Sequence, residues 1–356
     1  MDDAARTFLD DLLSTHSPSG FESRGQRVWL DAVTPVADSV WTDAYGNAVA
    51  AVEGTGDGPR LAFTGHVDEI GFIVRDVTDD GFLRIGPIGG ADRTVSKGQH
   101  VTVHADGGDR TVPGVVGQAA IHLRDQGSEE YEDLEAQFVD VGADGEAEAR
   151  SLVEVGDPVT FSSGVRDLHG TRLAGRGIDN RVGVWVAAEA LRRVAESPVE
   201  ATVYAVSTVQ EEVGLQGARM VGYDLDPDAV VALDVTHATD TPAVSGQHEG
   251  PVALGGGPVI SRGSTNHPVL VDLLRETAAA TGVDVQLQAT GSRTGTDADA
   301  FYTSRAGVPS VNVGIPNRYM HTPVEVVDTD DLDAAVTLLI EVAAAVGTDD
   351  DFAVEL

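Results

Sequence analysis

The sequence predicts an α/β fold, a sheet covered by helices on both faces, with a small β-domain inserted into it. Strand-like apolar runs alternate with amphipathic helical segments before residue 71 and again after residue 164, as in sheets covered on both faces. Between residues 72 and 163 the pattern changes to short β-patterned pieces punctuated by Gly and Pro. A length of 356 residues suits one large domain and one smaller one.

The individual elements follow from hydrophobic periodicity. Helical spacing around Leu9 and Leu12 predicts a first helix, followed by a turn at residues 17–20 and a second helix that ends near Val33. Strands are predicted at residues 47–54, 60–68, 201–208, 229–235, 284–289 and 308–314, and helices at 180–195, 266–281 and 328–346. The insert shows no amphipathic helix. The predicted domains are 1–71 with 164–356, and 72–163.

Charge restricts the partners. The 58 acidic and 23 basic side chains give a net charge of −35, which excludes nucleic acid and anionic membranes because both need a basic surface. Lys97 is the sole lysine. We interpret this composition as an adaptation to a molar-salt cytoplasm, where a Debye length of about 3 Å screens self-repulsion. An ordinary acidic protein is the alternative. The 42% hydrophobic content predicts a folded chain.

The sequence contains no cysteine, which excludes disulfides, thiolate metal sites and cysteine nucleophiles. Any metal site must therefore use His and carboxylate ligands. No run approaches 18 consecutive apolar residues, and residues 1–13 carry acids where a signal peptide needs basic residues. We expect a cytoplasmic protein without a membrane partner.

Candidate metal ligands fall at the ends of predicted strands, where open α/β sheets place their sites. His66 and Asp68 are two positions apart, so both side chains point to one side of an extended segment. Asp179 precedes a predicted helix, and taken alone it is more simply a helix cap. Glu211 and Glu212 are adjacent at a strand end, where a cation or a proton would relieve their repulsion unless both are solvated.

Two further residues complete a candidate set. Asp234 ends an apolar strand, and His321 lies in a loop ahead of the last helix. Two imidazoles and three carboxylates suit two divalent ions that share one carboxylate. The five candidate ligands are His66, Asp179, Glu212, Asp234 and His321. Glu211 and Asp68 are left over, and a glutamate beside a ligand can take protons.

The chain resembles the tetrahedral (TET) metallo-aminopeptidase family in six ordered motifs: GHVDEIG, GRGIDNR, TVQEEVGLQGA, ALDVT, GTDADAF and PNRYMHTPVEVVD. That family includes glutamyl and deblocking aminopeptidases and endoglucanase M-like proteins. The resemblance runs from SPSGFE to the last helix and, with the charge, indicates a halophilic archaeal type. It implies a phosphorylase/hydrolase-like catalytic domain, a β-barrel used for dimerisation, peptide substrates and two zinc or cobalt ions. It also implies a homo-oligomer, commonly a dodecamer built from dimers.

The resemblance also implies roles for the candidate ligands. Asp179 would bridge the two metal ions. His66 and Asp234 would complete one site, and Glu212 and His321 the other.

Other residues receive roles around these ligands by the same resemblance. Glu211 would be the general base, and Asp68 would orient the first imidazole and raise its basicity. Thr296 and Asp297 would contact the substrate, although a turn capped by Asp297 explains the same motif. His122 lies in a stretch that could reach an active site, and a surface histidine is the alternative.

Three alternatives to an aminopeptidase (EC 3.4.11) stay open. An acylamino-acid deacetylase, a carboxypeptidase or a deblocking peptidase would use similar ligands. Deacetylases and carboxypeptidases usually carry their extra domain after the Glu-Glu motif, whereas here the insert separates His66 from Asp179. A glycosidase needs two carboxylates at a sugar cleft and aromatic residues to stack sugars, but aromatics make up 5% of this chain. A non-catalytic binding protein would not need a base beside a complete ligand set.

Overall fold

The computed structural model describes residues 1–124, 132–244 and 250–356. The predicted helices and strands of the α/β part are confirmed in kind and order. The helices in chain order are α1 Asp3–Ser14, α2 Ser23–Val33, α3 Glu146–Leu152, α4 Ile178–Glu196, α5 Gln216–Asp224, α6 Pro268–Thr281, α7 Ala298–Phe301 and α8 Thr329–Ala345. The strands are β1 Ser39–Thr42, β2 Ala48–Val52, β3 Arg60–His66, β4 Gly71–Val77, β5 Leu83–Ile88, β6 His100–Ala105, β7 Arg110–Val116, β8 Phe138–Asp140, β9 Pro158–Phe161, β10 Arg166–Asp167, β11 Arg172–Gly175, β12 Thr202–Thr208, β13 Ala229–His237, β14 Val259–Gly263, β15 Gln286–Thr290, β16 Ser310–Asn317 and β17 Glu325–Asp328.

An eight-stranded mixed sheet has the order β1-β2-β12-β3-β13-β16-β14-β15. The four central strands, β12, β3, β13 and β16, are parallel, while β1, β2 and β14 join antiparallel. The carboxyl ends of the parallel strands therefore meet at one edge. This edge carries His66 at the end of β3, Asp234 in β13, and the Glu211–Glu212 pair just after β12.

Both faces of the sheet are covered, because apolar side chains point alternately to each face. In β3, Leu61 and Phe63 pack in the core under α1, α2, α4, α6 and α8, whereas Ala62 faces the smaller core under α5 and α7. Helix α4 crosses the centre of the sheet and is almost entirely buried. Its Trp185 indole donates a hydrogen bond of 2.9 Å to the Ala5 carbonyl, which fixes α1 against it.

Two glycines allow close contact between β3 and α4. A Cβ atom at Gly65 would lie 2.7 Å from the backbone carbonyl carbon of Gly183 and 2.7 Å from the backbone nitrogen of Val184. Such distances leave no room for a methyl group. Strand and helix therefore touch backbone to backbone one residue before His66.

The strands between Gly71 and Phe161 form a closed barrel in the order β4-β5-β8-β7-β6-β9. Its interior is apolar, with Phe72 and Phe161 packed edge to face at 5.3 Å. Helix α3 accompanies the barrel although no helix was expected there. It is seven residues long and buries one residue, Ala149, so it carries no apolar stripe that periodicity could detect. The domain limits 1–71, 72–163 and 164–356 stay a prediction.

A small three-stranded sheet, β10-β11-β17, lies beside the start of α4. Strand β17 runs antiparallel to β11, with Glu325 opposite Gly175. This sheet brings the segment that follows the His321 loop next to the segment that enters α4. Within the described residues, no helix is both long and apolar enough to cross a membrane.

Candidate metal centre

Seven side chains with metal-binding or proton-transfer chemistry converge at the carboxyl edge of the sheet. His66, Glu211 and Asp234 form one group, and Asp179, Glu212 and His321 form a second, each with its ligand atoms within 4.8 Å of one another. Asp68 lies directly behind the first group. The structure thus brings together every ligand and catalytic candidate derived from the strand-end motifs.

Asp179 joins the two groups through its two carboxylate oxygens. Oδ1 lies 3.3 Å from Nε2 of His66, and Oδ2 lies 3.3 Å from Nε2 of His321. One oxygen thus faces each group, as a carboxylate that bridges two ions requires. The cap interpretation of Asp179 is wrong: its carboxylate faces the two imidazoles, and the capping contact is made by Asn180, whose Oδ1 accepts the Gly183 N–H at 3.0 Å.

The other spacings test whether the residues fit metal ions. From Nε2 of His66, Oδ1 of Asp234 is 3.7 Å away and Oε2 of Glu211 is 3.8 Å away. Nε2 of His321 lies 3.6 Å from Oε1 of Glu212. Ligand atoms placed about 2.0–2.2 Å from a tetrahedral zinc ion are about 3.3–3.6 Å apart. The side chains therefore fit a pair of divalent cations.

Burial makes this cluster of charges unfavourable without cations. Burial raises the pKa of Glu211 well above its usual range, and burial together with Asp179 raises the pKa of Glu212 to about 8. Burial also favours neutral Asp179, but hydrogen bonds from His321 and His66 outweigh it and hold the pKa of Asp179 far below normal. Burial opposes a charge on His66, yet the surrounding carboxylates raise its pKa well above 6.5. Divalent cations would take over the neutralising role of these protons.

Both imidazoles are oriented through their second nitrogen. Nδ1 of His66 donates to the Asp68 backbone carbonyl at 3.2 Å and lies 3.4 Å from the Asp68 carboxylate. Nδ1 of His321 donates to the carbonyl of Gly90 in the inserted part of the chain at 3.1 Å. Each ring therefore presents Nε2 to the centre, the arrangement typical of metal-binding histidines.

Asp68 does more than face an imidazole. Its carboxylate is fully buried and accepts the backbone N–H groups of Glu211 at 3.0 Å and Glu212 at 3.2 Å. The hydroxyl of Ser19 donates to it at 2.6 Å. Asp68 thereby ties the segment after β3 to the segment after β12. The sequence pattern contained no signal for these backbone contacts.

Two more acidic residues lie close to the centre, and the sequence motifs predicted no role for either of them. Glu325, in the PNRYMHTPVEVVD motif, accepts the backbone N–H groups of Asp179 and His321. Glu69, in GHVDEIG, forms buried ion pairs with Arg176 and with Arg181, whose Nη2 lies 2.8 Å from Oε1 of Glu69.

Both residues could have been suspected from the sequence, because each lies inside a motif that contains a candidate ligand.

The three residues expected to contact substrate lie in different environments. Thr296 lines an open cavity of 1020 Å³ together with the ligands and Glu211. Asp297 is buried beneath it and accepts a hydrogen bond of 2.5 Å from the Thr208 hydroxyl. Burial raises the pKa of Asp297 to about 7. Its side chain does not cap α7, so that alternative is wrong. His122 is exposed on a short 3₁₀ turn and is not among the residues lining the cavity.

Comparison with known proteins bears on this geometry. A family profile described as M42 glutamyl aminopeptidase matches residues 46–338. The chain belongs to the M42 peptidase family. It is 34% identical to the lysyl aminopeptidase of Pyrococcus furiosus over 335 residues, 92% of this chain and 93% of that protein. M42 enzymes are metallopeptidases, and the two groups are candidate metal-binding groups of this chain.

Solved structures agree in fold over the whole chain. The TET aminopeptidase of a marine sediment Thaumarchaeota archaeon superposes with a TM-score of 0.90 at 31% identity, covering 97% of this chain and 98% of its own. The Pyrococcus horikoshii TET1 peptidase, described as assembling into a tetrahedron or a large octahedral shell, has a TM-score of 0.84 at 29% identity, with 96% and 99% covered. The fold is therefore that of the TET peptidases, as expected, and the chain is a peptide hydrolase of an aminopeptidase family.

Proposed function

We propose that the protein is a dinuclear, metal-dependent aminopeptidase that releases N-terminal residues from peptides, with Glu211 as general base. The observation that carries the proposal is the placement of Asp179, whose two oxygens face separate ligand groups at 3.3 Å each. Zinc or cobalt suits these oxygen and nitrogen ligands. His66 and Asp234 would hold one ion, Glu212 and His321 the other, and Asp179 both.

When bound, such an ion pair lowers the pKa of water, polarises the scissile carbonyl and can hold the free amino group of the substrate. Glu211, a member of the first group, lines the cavity and makes no side-chain hydrogen bond to other described residues. Burial raises the pKa of Glu211, which favours its acting as a proton acceptor. Glu211 takes a proton from the attacking water as the C–O bond forms, and gives it to the leaving amine nitrogen as the C–N bond breaks.

Glu211 also lies close enough to His66 and Asp234 to be a ligand itself. The two roles make different predictions for Glu211→Gln. A general base removed in this way lowers kcat by about 10²–10⁴-fold and leaves two bound ions. A lost ligand lowers the metal content as well.

The experiment uses chelator-stripped protein in about 3 M salt, reloaded with zinc or cobalt and assayed on aminoacyl-anilides and short peptides. Wild-type protein should regain release of N-terminal residues, and the exposed Glu276→Gln on α6 should match it. Metal content is measured on each variant. No recovery with either metal would contradict the aminopeptidase proposal, and a Glu211→Gln enzyme at wild-type rate would contradict the base. Efficient cleavage of acetylated peptides would favour the deacylase or deblocking alternative instead.

The proposal extends to assembly and environment. A TET1 structure similar to this chain is described as a dodecamer, and we propose that this chain also forms a homo-oligomer, a dodecamer built from dimers through the barrel. We retain a cytoplasmic location, adaptation to high salt, and contact of Thr296, Asp297 and His122 with substrate as proposals.

A further inference from the structure

The geometry points to Glu325 as a positioning residue of the metal centre: its carboxylate holds the backbone of Asp179 and of His321 so that their side chains meet. The inference rests on the proposed function, because it concerns two of the proposed ligands. Glu325 does not line the cavity and belongs to neither ligand group, so its action is through the backbone of those two residues.

Both oxygens of the carboxylate are used. Oε2 accepts the Asp179 N–H at 3.1 Å, and Oε1 accepts the His321 N–H at 2.9 Å. Glu325 is 2% exposed, so water does not compete for these contacts. A single side chain thus links two ligands that are 142 positions apart in the sequence and belong to separate elements.

The surrounding strands explain why Glu325 can reach both. In the β11–β17 pair, Glu325 lies opposite Gly175, four residues before Asp179. On the other side, Arg318 and Val326 exchange two backbone hydrogen bonds of 2.9 and 3.0 Å, which close the loop that carries His321. Glu325 therefore sits where the loop closes and where the chain enters α4.

The His321 loop needs such support. Tyr319 and His321 both have a φ of 62°, in the left-handed region. For residues other than Gly this conformation is strained, and surrounding contacts must hold it. The bond from His321 N–H to Glu325 is one such contact, and the bond from its ring to Gly90 is another.

A carboxylate is the group that fits both contacts, because each oxygen accepts from an N–H. Glutamine has one carbonyl oxygen, and its NH₂ group would face the second N–H without a partner. Glu325→Gln therefore preserves volume while one ligand backbone loses its acceptor. Loss of an outer contact of this kind weakens metal binding by about 10–100-fold.

The chain offers a matched control at Asp331 in the first turn of α8. Its carboxylate is 1% exposed and also accepts two backbone N–H groups, from Gly255 at 2.8 Å and Gly257 at 2.7 Å. It is absent from both ligand groups and from the cavity lining. Asp331→Asn thus removes the same kind of buried contact away from the metal centre.

The test measures zinc and cobalt dissociation constants by chelator competition, together with the visible absorption spectrum of the cobalt-loaded full-length protein. Thermal unfolding of the metal-free variants reports on folding. We expect Glu325→Gln to weaken affinity by about 10–100-fold and to alter the cobalt spectrum. Asp331→Asn should lower stability and leave affinity and spectrum at wild-type values. If Glu325→Gln does not fold, Glu325→Asp, which keeps the carboxyl group but is too short to span both contacts, is measured in the same way.

Wild-type affinity and spectrum in the Glu325 variant would overturn the inference, and so would an equal loss of affinity in the Asp331 variant. A wild-type protein that binds no ion pair would instead refute the proposed function.

Discussion

Glu69→Gln removes the carboxylate that two buried guanidinium groups share. The side chains of Glu69, Arg176 and Arg181 are 3%, 4% and 0% exposed. Burial alone would raise the pKa of Glu69, but the two arginines outweigh it and hold that pKa far below its usual value. The carboxylate is therefore charged at all pH values where the protein would be assayed.

Glutamine has nearly the same volume, so the change isolates the charge. Removal of one partner from a buried ion pair costs about 3–5 kcal/mol, since the other charge stays buried without compensation. Two cations lose their partner here, and the N–H of Ser17, which Oε1 accepts at 2.9 Å, keeps an acceptor only if the amide oxygen turns toward it. We therefore expect Glu69→Gln to lower the free energy of unfolding by about 4–5 kcal/mol.

The assay is urea unfolding in high salt at fixed protein concentration, because assembly makes the apparent stability depend on concentration. A double-mutant cycle with Arg176→Met measures the coupling. The double variant should be less destabilised than the sum of the single variants, because it buries one fewer unpaired cation. A Glu69→Gln protein within about 0.5 kcal/mol of wild type, the range of ordinary surface substitutions, would refute the reasoning. Strict additivity in the cycle would refute it as well.

Two further predictions concern pH and salt. Burial lowers the pKa of His16 to about 3 and that of His104 to about 4. Below pH 6.5 these two imidazoles bind more protons in the unfolded chain than in the folded one, so their contribution to stability decreases as the pH is lowered, for His16 by up to about 2.7 kcal/mol between pH 6.5 and 4.5. His16→Gln should reduce this slope in urea unfolding, and an unchanged slope would contradict the assignment. The net charge of −35 predicts that lowering salt from 1 M to 0.1 M, which lengthens the Debye length from about 3 to about 10 Å, lowers the melting temperature or dissociates the assembly. Bound metal should delay that loss, and a melting temperature independent of salt from 0.1 to 3 M would contradict the halophilic interpretation.

The sequence predicted the α/β fold because long apolar runs report burial directly, and short β-patterned pieces predicted an inserted β-domain. That this domain is a barrel was implied only by the family resemblance. It also predicted which residues converge, since carboxyl ends of parallel strands share one edge, and His66 and Asp234 lie on neighbouring strands. Helix α3 and the three-stranded sheet around β17 were missed because they are too short to show a period. The direction of the Asp297 side chain could not be predicted, because its partner, Thr208, lies 89 residues away.

The sequence also could not predict the hydrogen bonds between carboxylates and backbone N–H groups. The acceptors Asp68 and Glu325 recognise atoms that every residue carries, so no residue type in the partner segment marks them. These bonds connect four residues of the centre to the carboxylates behind it.

The contact between β3 and α4 has a consequence for the width of the metal centre. His66 follows Gly65 on the strand, and Asp179 stands at the start of the helix that Gly65 touches. Any side chain at position 65 would push that helix outward, and the gap between His66 and the Asp179 carboxylate would widen by a comparable amount. The absence of a side chain at Gly65 therefore helps to set the distance between the two ligand groups. Gly65 of GHVDEIG contributes to the geometry of the site, as His66 does.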